Sequence, residues 1–304
     1  MKTAPLYVIL TILLLANSLA ETKADESPNY SRSIILPLVS EPGKKRNLFS
    51  KYGNNGNAQW NKHFWGTSLG FDQFTGIGWG TPQAGTLITP EHVLCAAHYG
   101  VNRKGVYFHG IEGNRLKICL PEKDAENKNR SIVIQPDILV VKLATPAPEG
   151  AKIYPLPSPE DHLRRLSWGN LPKEQRPLLI ATDWKSPLPP KPDDPEGKQH
   201  FRITRSAHPV LLSRSPAGGK TLHWSYGKNG DPAVHSSYHE VINSGDSSNP
   251  IFWVTKNGLV LASTFTGVTG GPDYGNPEIQ KEIQAAIDKL GGQKPYKLKT
   301  SPVR

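Results

Sequence analysis

The chain has 304 residues, 37% of them hydrophobic and 20% charged, a size and balance that allow a large core and exclude a disordered or fibrous protein. Its 36 Lys and Arg outnumber 26 Asp and Glu, for a formal charge of +10. The basic residues are scattered, with no long run outside "GKKR" at 43–46 and no accompanying motif, so a nucleic-acid partner is not expected.

The first twenty residues, "MKTAPLYVILTILLLANSLA", place Lys2 before an apolar run from Leu6 to Ala16 and end in small residues at Ser18 and Ala20. That is the pattern of a secretory signal cleaved after Ala20, and the run is too short to span a bilayer. The expected product is a secreted or periplasmic protein with no membrane attachment once the signal is removed. Residues 21–59 are polar apart from "SIILPLV" at Ser33–Val39 and read as a pro-segment or loosely attached arm.

From Trp60 onward, short apolar runs punctuated by Gly, Pro, Asn and Asp signal an all-β fold. Strands are predicted at Ala84–Thr89, His92–Ala97, Gly105–Gly110, Leu116–Leu120, Ser131–Gln135 and Ile138–Leu143. A proline-rich passage at Leu143–His162 connects this first unit, residues 60–150, to a second, residues 151–304. The second has predicted strands at Pro177–Trp184, His200–Ser206, His208–Ser215, Thr221–Tyr226, Pro250–Thr255 and Leu259–Gly267, with a surface loop at Lys185–Lys198. Near the C-terminus Asn276 is suited to an N-cap and Pro277 to the first turn. Ile279, Ile283, Ile287 and Leu290 share a face, and Gly291 ends the helix. Two cysteines, Cys95 and Cys119, are too few to carry the fold by bridging; one disulfide and two buried thiols both remain open.

Three segments bear chemistry. "GTLITPEHVLCAAHYG" puts His98 just past an apolar strand, "PDILVVKL" puts Asp137 at a strand entrance, and "SGDSSNP" sets Ser247 in a turn. Singly, each has an ordinary structural reading. Together, in the order His, Asp, Ser, they resemble the histidine, aspartate and serine motifs of the chymotrypsin/trypsin-like serine peptidases.

That resemblance implies two six-stranded antiparallel β-barrels with the site between them and a C-terminal helix. It makes Ser247 the nucleophile, His98 the general base and Asp137 the residue that orients the imidazole, with the N–H groups of Gly245 and Ser247 as oxyanion donors. The implied activity is that of an endopeptidase acting on protein or peptide substrates through an acyl-enzyme, with no cofactor or metal. Val241 falls at the pocket floor where trypsin has aspartate, so small or apolar P1 residues are expected. Thr264 aligns with the serine that supports the aspartate, and Phe265 and Thr266 would line the pocket.

The chain departs from the family in two places. Ser248 and Asn249 replace two glycines, and no "I-V-G-G" start is present to supply an ammonium partner for Asp246. Asp246 is therefore expected to take an internal partner. Competing readings are a non-catalytic binding protein on the same scaffold, a zinc site at His235, His239 and Glu240, and an α/β-hydrolase, which would require "G-x-S-x-G" at a strand-to-helix turn, a pattern the Ser247 turn breaks at Asn249.

Overall fold

A computed structural model describes residues 28–52, 58–80, 84–99, 101, 105–112, 115–187, 201–216, 219–239, 245–267 and 269–303. The leader and its cleavage point lie outside these residues, as does Val241. Among the described residues no helix is long and apolar enough to cross a membrane.

Among the described residues the α-helices are α1 (Asn29–Val39), α2 (His162–Trp168) and α3 (Pro277–Leu290). In chain order the strands are β1 (Phe49–Tyr52), β2 (Ala58–Trp60), β3 (Ile77–Trp79), β4 (Ala84–Thr89), β5 (His92–Ala96), β6 (Val106–His109), β7 (Arg115–Cys119), β8 (Ser131–Ile134) and β9 (Ile138–Lys142). Then follow β10 (Leu156–Pro157), β11 (Leu178–Pro187), β12 (Phe201–Ser213), β13 (Thr221–Ser225), β14 (Pro250–Thr255), β15 (Gly258–Thr264), β16 (Gly270–Pro272) and β17 (Thr300–Ser301). The fold is mostly β, and two antiparallel sheets dominate it.

The first sheet has seven strands in the order β7-β6-β3-β4-β5-β9-β8, and the second has six in the order β15-β14-β11-β12-β13-β16. The second curls into a half-barrel that brings its edge strands β15 and β16 near each other, and just past β15 an isolated bridge joins Gly267 to Gly270. A Cβ on Gly271 would come within 1.9 Å of the Thr264 carbonyl oxygen, so only glycine permits this closure.

Most strands are buried on both faces, which is why they read as continuous apolar runs. Along β9, Ile138 and Val140 join a large central cluster, while Leu139 and Val141 join a smaller one with Leu87, Val93 and Phe108 inside the first sheet. The central cluster also takes Ile180, Leu211, Phe252 and Leu261 from the second sheet, so one face of each sheet packs against the other. Cys95 and Cys119 are unbridged and fully buried. Native protein is expected to be inert to Ellman's reagent and to release two thiols after unfolding.

Four sequence expectations change. Residues 201–213 form one strand, not two, because β12 pairs with β11 on both sides of a bulge, from Leu178↔Leu211 to Asp183↔Ser206 and from Lys185↔Ile203 to Pro187↔Phe201. That hairpin also carries β11 into the stretch read as a loop at Lys185. In the first sheet Ile77–Trp79 adds a strand that its short length concealed. Finally, 29–39 is helical and packed rather than loosely attached: Ser31, Ile35 and Val39 are buried, and α1 lies against β11 and β14.

The C-terminal helix forms as predicted. Asn276 Oδ1 accepts the backbone N–H groups of Glu278 (2.9 Å) and Ile279 (3.2 Å), satisfying two groups that the helix leaves open. At the other end Gly291 adopts a φ of +68°, and Arg130 Nη2 donates to Leu290 O at 2.6 Å. The helix thus returns from the second half of the chain to seal β8 and β9 of the first.

The β4–β5 turn holds a pH-sensitive element. Thr89 Oγ1 accepts the N–H groups of Glu91 and His92 and lies 2.7 Å from His92 Nδ1. Burial lowers the His92 pKa from 6.5 to about 4. Between those values the unfolded chain binds the proton and the folded chain does not, so stability is full above pH 6.5 and falls as pH drops toward 4. The loss has a ceiling of about 3 kcal/mol. Urea midpoints measured across this window should fall with pH in the parent and fall less in His92→Gln.

Candidate active site

β5 ends at Ala96, where a short 3-10 helix, Ala97–Tyr99, turns the chain out of the sheet and leaves the His98 side chain 45% exposed. Asp137 occupies the tight turn from β8 into β9 with a φ of +148°, a strained conformation for a residue with a side chain. Pairing fixes its level: Ala96 lies opposite Ile138, so Asp137 falls beside Ala97, whose N–H donates to Asp137 O at 3.2 Å.

The Asp137 carboxylate grips His98 twice. Oδ1 accepts the His98 backbone N–H at 2.9 Å, and Oδ2 lies 2.5 Å from Nδ1. On the far side of the ring, Nε2 lies 3.0 Å from Ser247 Oγ. With Asp137 accepting at Nδ1, the neutral imidazole carries its proton there and presents the Nε2 lone pair to the serine hydroxyl. Histidine and aspartate come from the first sheet, while the serine precedes β14 of the second.

Residues 245–249 form the turn that carries Ser247. Gly245 has a φ of +101°, which favours glycine. Among the described residues no acceptor takes the N–H of Gly245 or of Ser247. Asn249 donates both its backbone N–H (3.1 Å) and its Nδ2 (2.9 Å) to Asp246 O, closing the turn with an amide side chain where the resembling family has glycine. Asp246 is buried, with the Trp184 N–H 3.5 Å from Oδ1.

The expected pocket residues are placed differently from one another. The Thr264 hydroxyl lies 2.8 Å from Tyr274 OH, a partner that the serine motifs gave no reason to expect. Burial raises the Tyr274 pKa, the Thr264 hydrogen bond opposes this, and Cys95 and Asp137 add to the rise, so the phenol stays protonated within electrostatic reach of Asp137. Phe265 corrects the expectation of a pocket wall. Its ring is 1% exposed and meets Trp224 edge-on at 5.1 Å, inside the core of the second sheet. Thr266 is half-buried at the bend before β16.

Of the residues of the zinc alternative, His235 and His239 are described. His235 Nδ1 accepts the Ser237 N–H at 3.2 Å and faces its hydroxyl at 2.9 Å, capping a 3-10 helix. Glu240 lies outside the described residues, and among those described no three His, Cys, Asp or Glu side chains gather as a metal site. Comparison with protein-family models and with curated proteins yields no match for this chain.

Proposed function

We propose that this chain is an exported serine endopeptidase of the chymotrypsin-like kind, its two sheets corresponding to the family's two barrels. The observation that carries the reading is the unbroken contact from Ser247 Oγ through both nitrogens of His98 to Asp137 Oδ2, at 3.0 and 2.5 Å, assembled from two sheets.

Proton transfer from Ser247 Oγ to His98 Nε2 accompanies attack on the substrate carbonyl carbon, and the Asp137 carboxylate stabilises the imidazolium that results. The N–H groups of Gly245 and Ser247 receive the oxyanion, each such donor being worth about 10²–10³ in rate. His98 then gives its proton to the departing amine, and the acyl-enzyme is hydrolysed by water through the same steps. The resemblance aligns Val241 with the family's pocket-floor position, and an apolar residue there supports a preference for small or apolar P1 residues.

A fluorophosphonate probe, which phosphonylates an activated serine, tests the reading. Labelling that maps to Ser247 and is lost in His98→Ala supports the hydrolase. No labelling of folded protein would overturn it in favour of a binding protein on the same scaffold.

A further inference from the structure

Ser248 stands where the resembling family has glycine, and its backbone has every reason to prefer one. Its φ is +74°, in the left-handed region, and the residue is wholly buried. A strained and inaccessible serine calls for a compensating contact.

That contact crosses between the two sheets. The Ser248 hydroxyl accepts the backbone N–H of Ala96 at 2.8 Å, 152 residues away in sequence. Ala96 is the last residue of β5. One side of the strand there is paired with β9, through Ala96↔Ile138, while pairing with β4 is last registered at Leu94. The Ala96 N–H has therefore outrun its ladder, and Ser248 Oγ supplies the acceptor that a buried amide requires.

The same residue is held from the opposite direction. Its N–H donates to Phe265 O at 2.9 Å, and the Phe265 N–H donates to Asn249 O at 3.0 Å, so the turn is pinned to the exit of β15. Neighbouring serines then make parallel contacts to one short segment, Ser247 to His98 and Ser248 to Ala96. Two points fix an orientation where one would allow a swing.

We infer that Ser248 is a positioning residue, which through Ala96 fixes the separation and angle between Ser247 Oγ and His98 Nε2. The role rests on the hydrolase reading and deepens it. A glycine at 248 would relieve the backbone strain and leave the Ala96 N–H without its acceptor, so fold stability and site geometry should respond differently.

The test compares Ser248→Gly and Ser248→Ala with the parent in two measurements, the rate of fluorophosphonate labelling and the proton resonance of His98 Nδ1–H. Ser248→Gly is expected to melt close to the parent, because relief of strain offsets the lost hydrogen bond, yet to label about tenfold more slowly or worse. Ser248→Ala keeps the strain and should lose both stability and labelling rate. In both, the far-downfield Nδ1 proton should broaden or shift as the imidazole gains freedom. Parent-like labelling by Ser248→Gly with an unmoved resonance would overturn the positioning role. Should the parent itself fail to label, the hydrolase reading falls. The Nδ1 resonance still decides: a change in Ser248→Gly upholds the brace on His98, and an unchanged line refutes it.

Discussion

Ser247→Ala and His98→Ala are each expected to lower kcat/KM for peptide hydrolysis by about 10⁴–10⁶, equivalent to about 5–8 kcal/mol of transition-state stabilisation. Neither change should move the melting temperature much. Ser247 is only partly buried and the His98 side chain is 45% exposed, so neither truncation opens a cavity in the core. The double variant should be barely worse than either single one, because serine and base act as a unit. Active-site titration against a peptide ester substrate checks this, and a Ser247→Ala enzyme working within a few fold of the parent would place the nucleophile elsewhere. Asp137→Asn is a sharper probe. It should leave the backbone N–H of His98 an acceptor at Oδ1 but present an amide to Nδ1, favouring the wrong tautomer at a cost of about 10⁴ in kcat.

Removing residues 28–52 is expected to abolish cooperative folding rather than release an activated enzyme. Ile35, Val39, Leu48 and Phe49 are each at most 2% exposed and belong to the central cluster that joins the sheets. At about 1.5–3 kcal/mol for each fully buried side chain, their loss approaches the whole net stability of a typical domain, about 5–15 kcal/mol. The backbone is woven in as well. Leu48 N–H donates to Arg205 O, Ala207 N–H to Arg46 O, and His235 N–H to Val39 O. Arg205, buried beneath the rings of Tyr52, Trp79 and Trp184, donates to Gly80 O and ties this segment to both sheets. A truncated chain should express as insoluble material or melt without a sharp transition by calorimetry. A soluble, cooperatively folding and more active truncated form would reinstate the pro-segment.

What the sequence made legible follows from how local each signal is. Helix α3 could be read to the residue because Asn276, Pro277 and Gly291 are side-chain-specific end signals, and β4 and β14 match because turn formers bound them closely. β12 reads as two strands, ending at Ser206 and resuming at His208, because a bulge at Arg205, with a φ of +49°, leaves no mark on the sequence although the strand resumes its pairing with β11 at Ser206. Helix α1 was missed although Ser31, Ile35 and Val39 recur every fourth residue; Pro37 and the polar flanks outweighed that spacing. At the site, the motifs named His98, Asp137 and Ser247, and these side chains lie in contact. They could not name Ala96 or Tyr274 as partners, since a backbone amide leaves no mark on a sequence and Tyr274 meets Thr264 only after β15 and β16 curl together. Phe265 was misplaced because one-residue alternation along the strand decides between core and cleft.

The split origin of the candidate triad also bears on when the chain could become dangerous to the cell that makes it. His98 and Asp137 are 39 residues apart in one sheet and are both synthesised early, whereas Ser247 lies 149 residues from His98 and is emitted only after much of the second sheet. Even then the second half is unfinished, since β17 at Thr300–Ser301 must pair with β10 and Val303 must enter the core. Vectorial synthesis therefore delivers the base first and the nucleophile last, and full assembly waits on contacts beyond residue 300. A peptidase arranged in this order would be harmless as a nascent chain without any inhibitory segment, its safety residing in the sequence of its own manufacture.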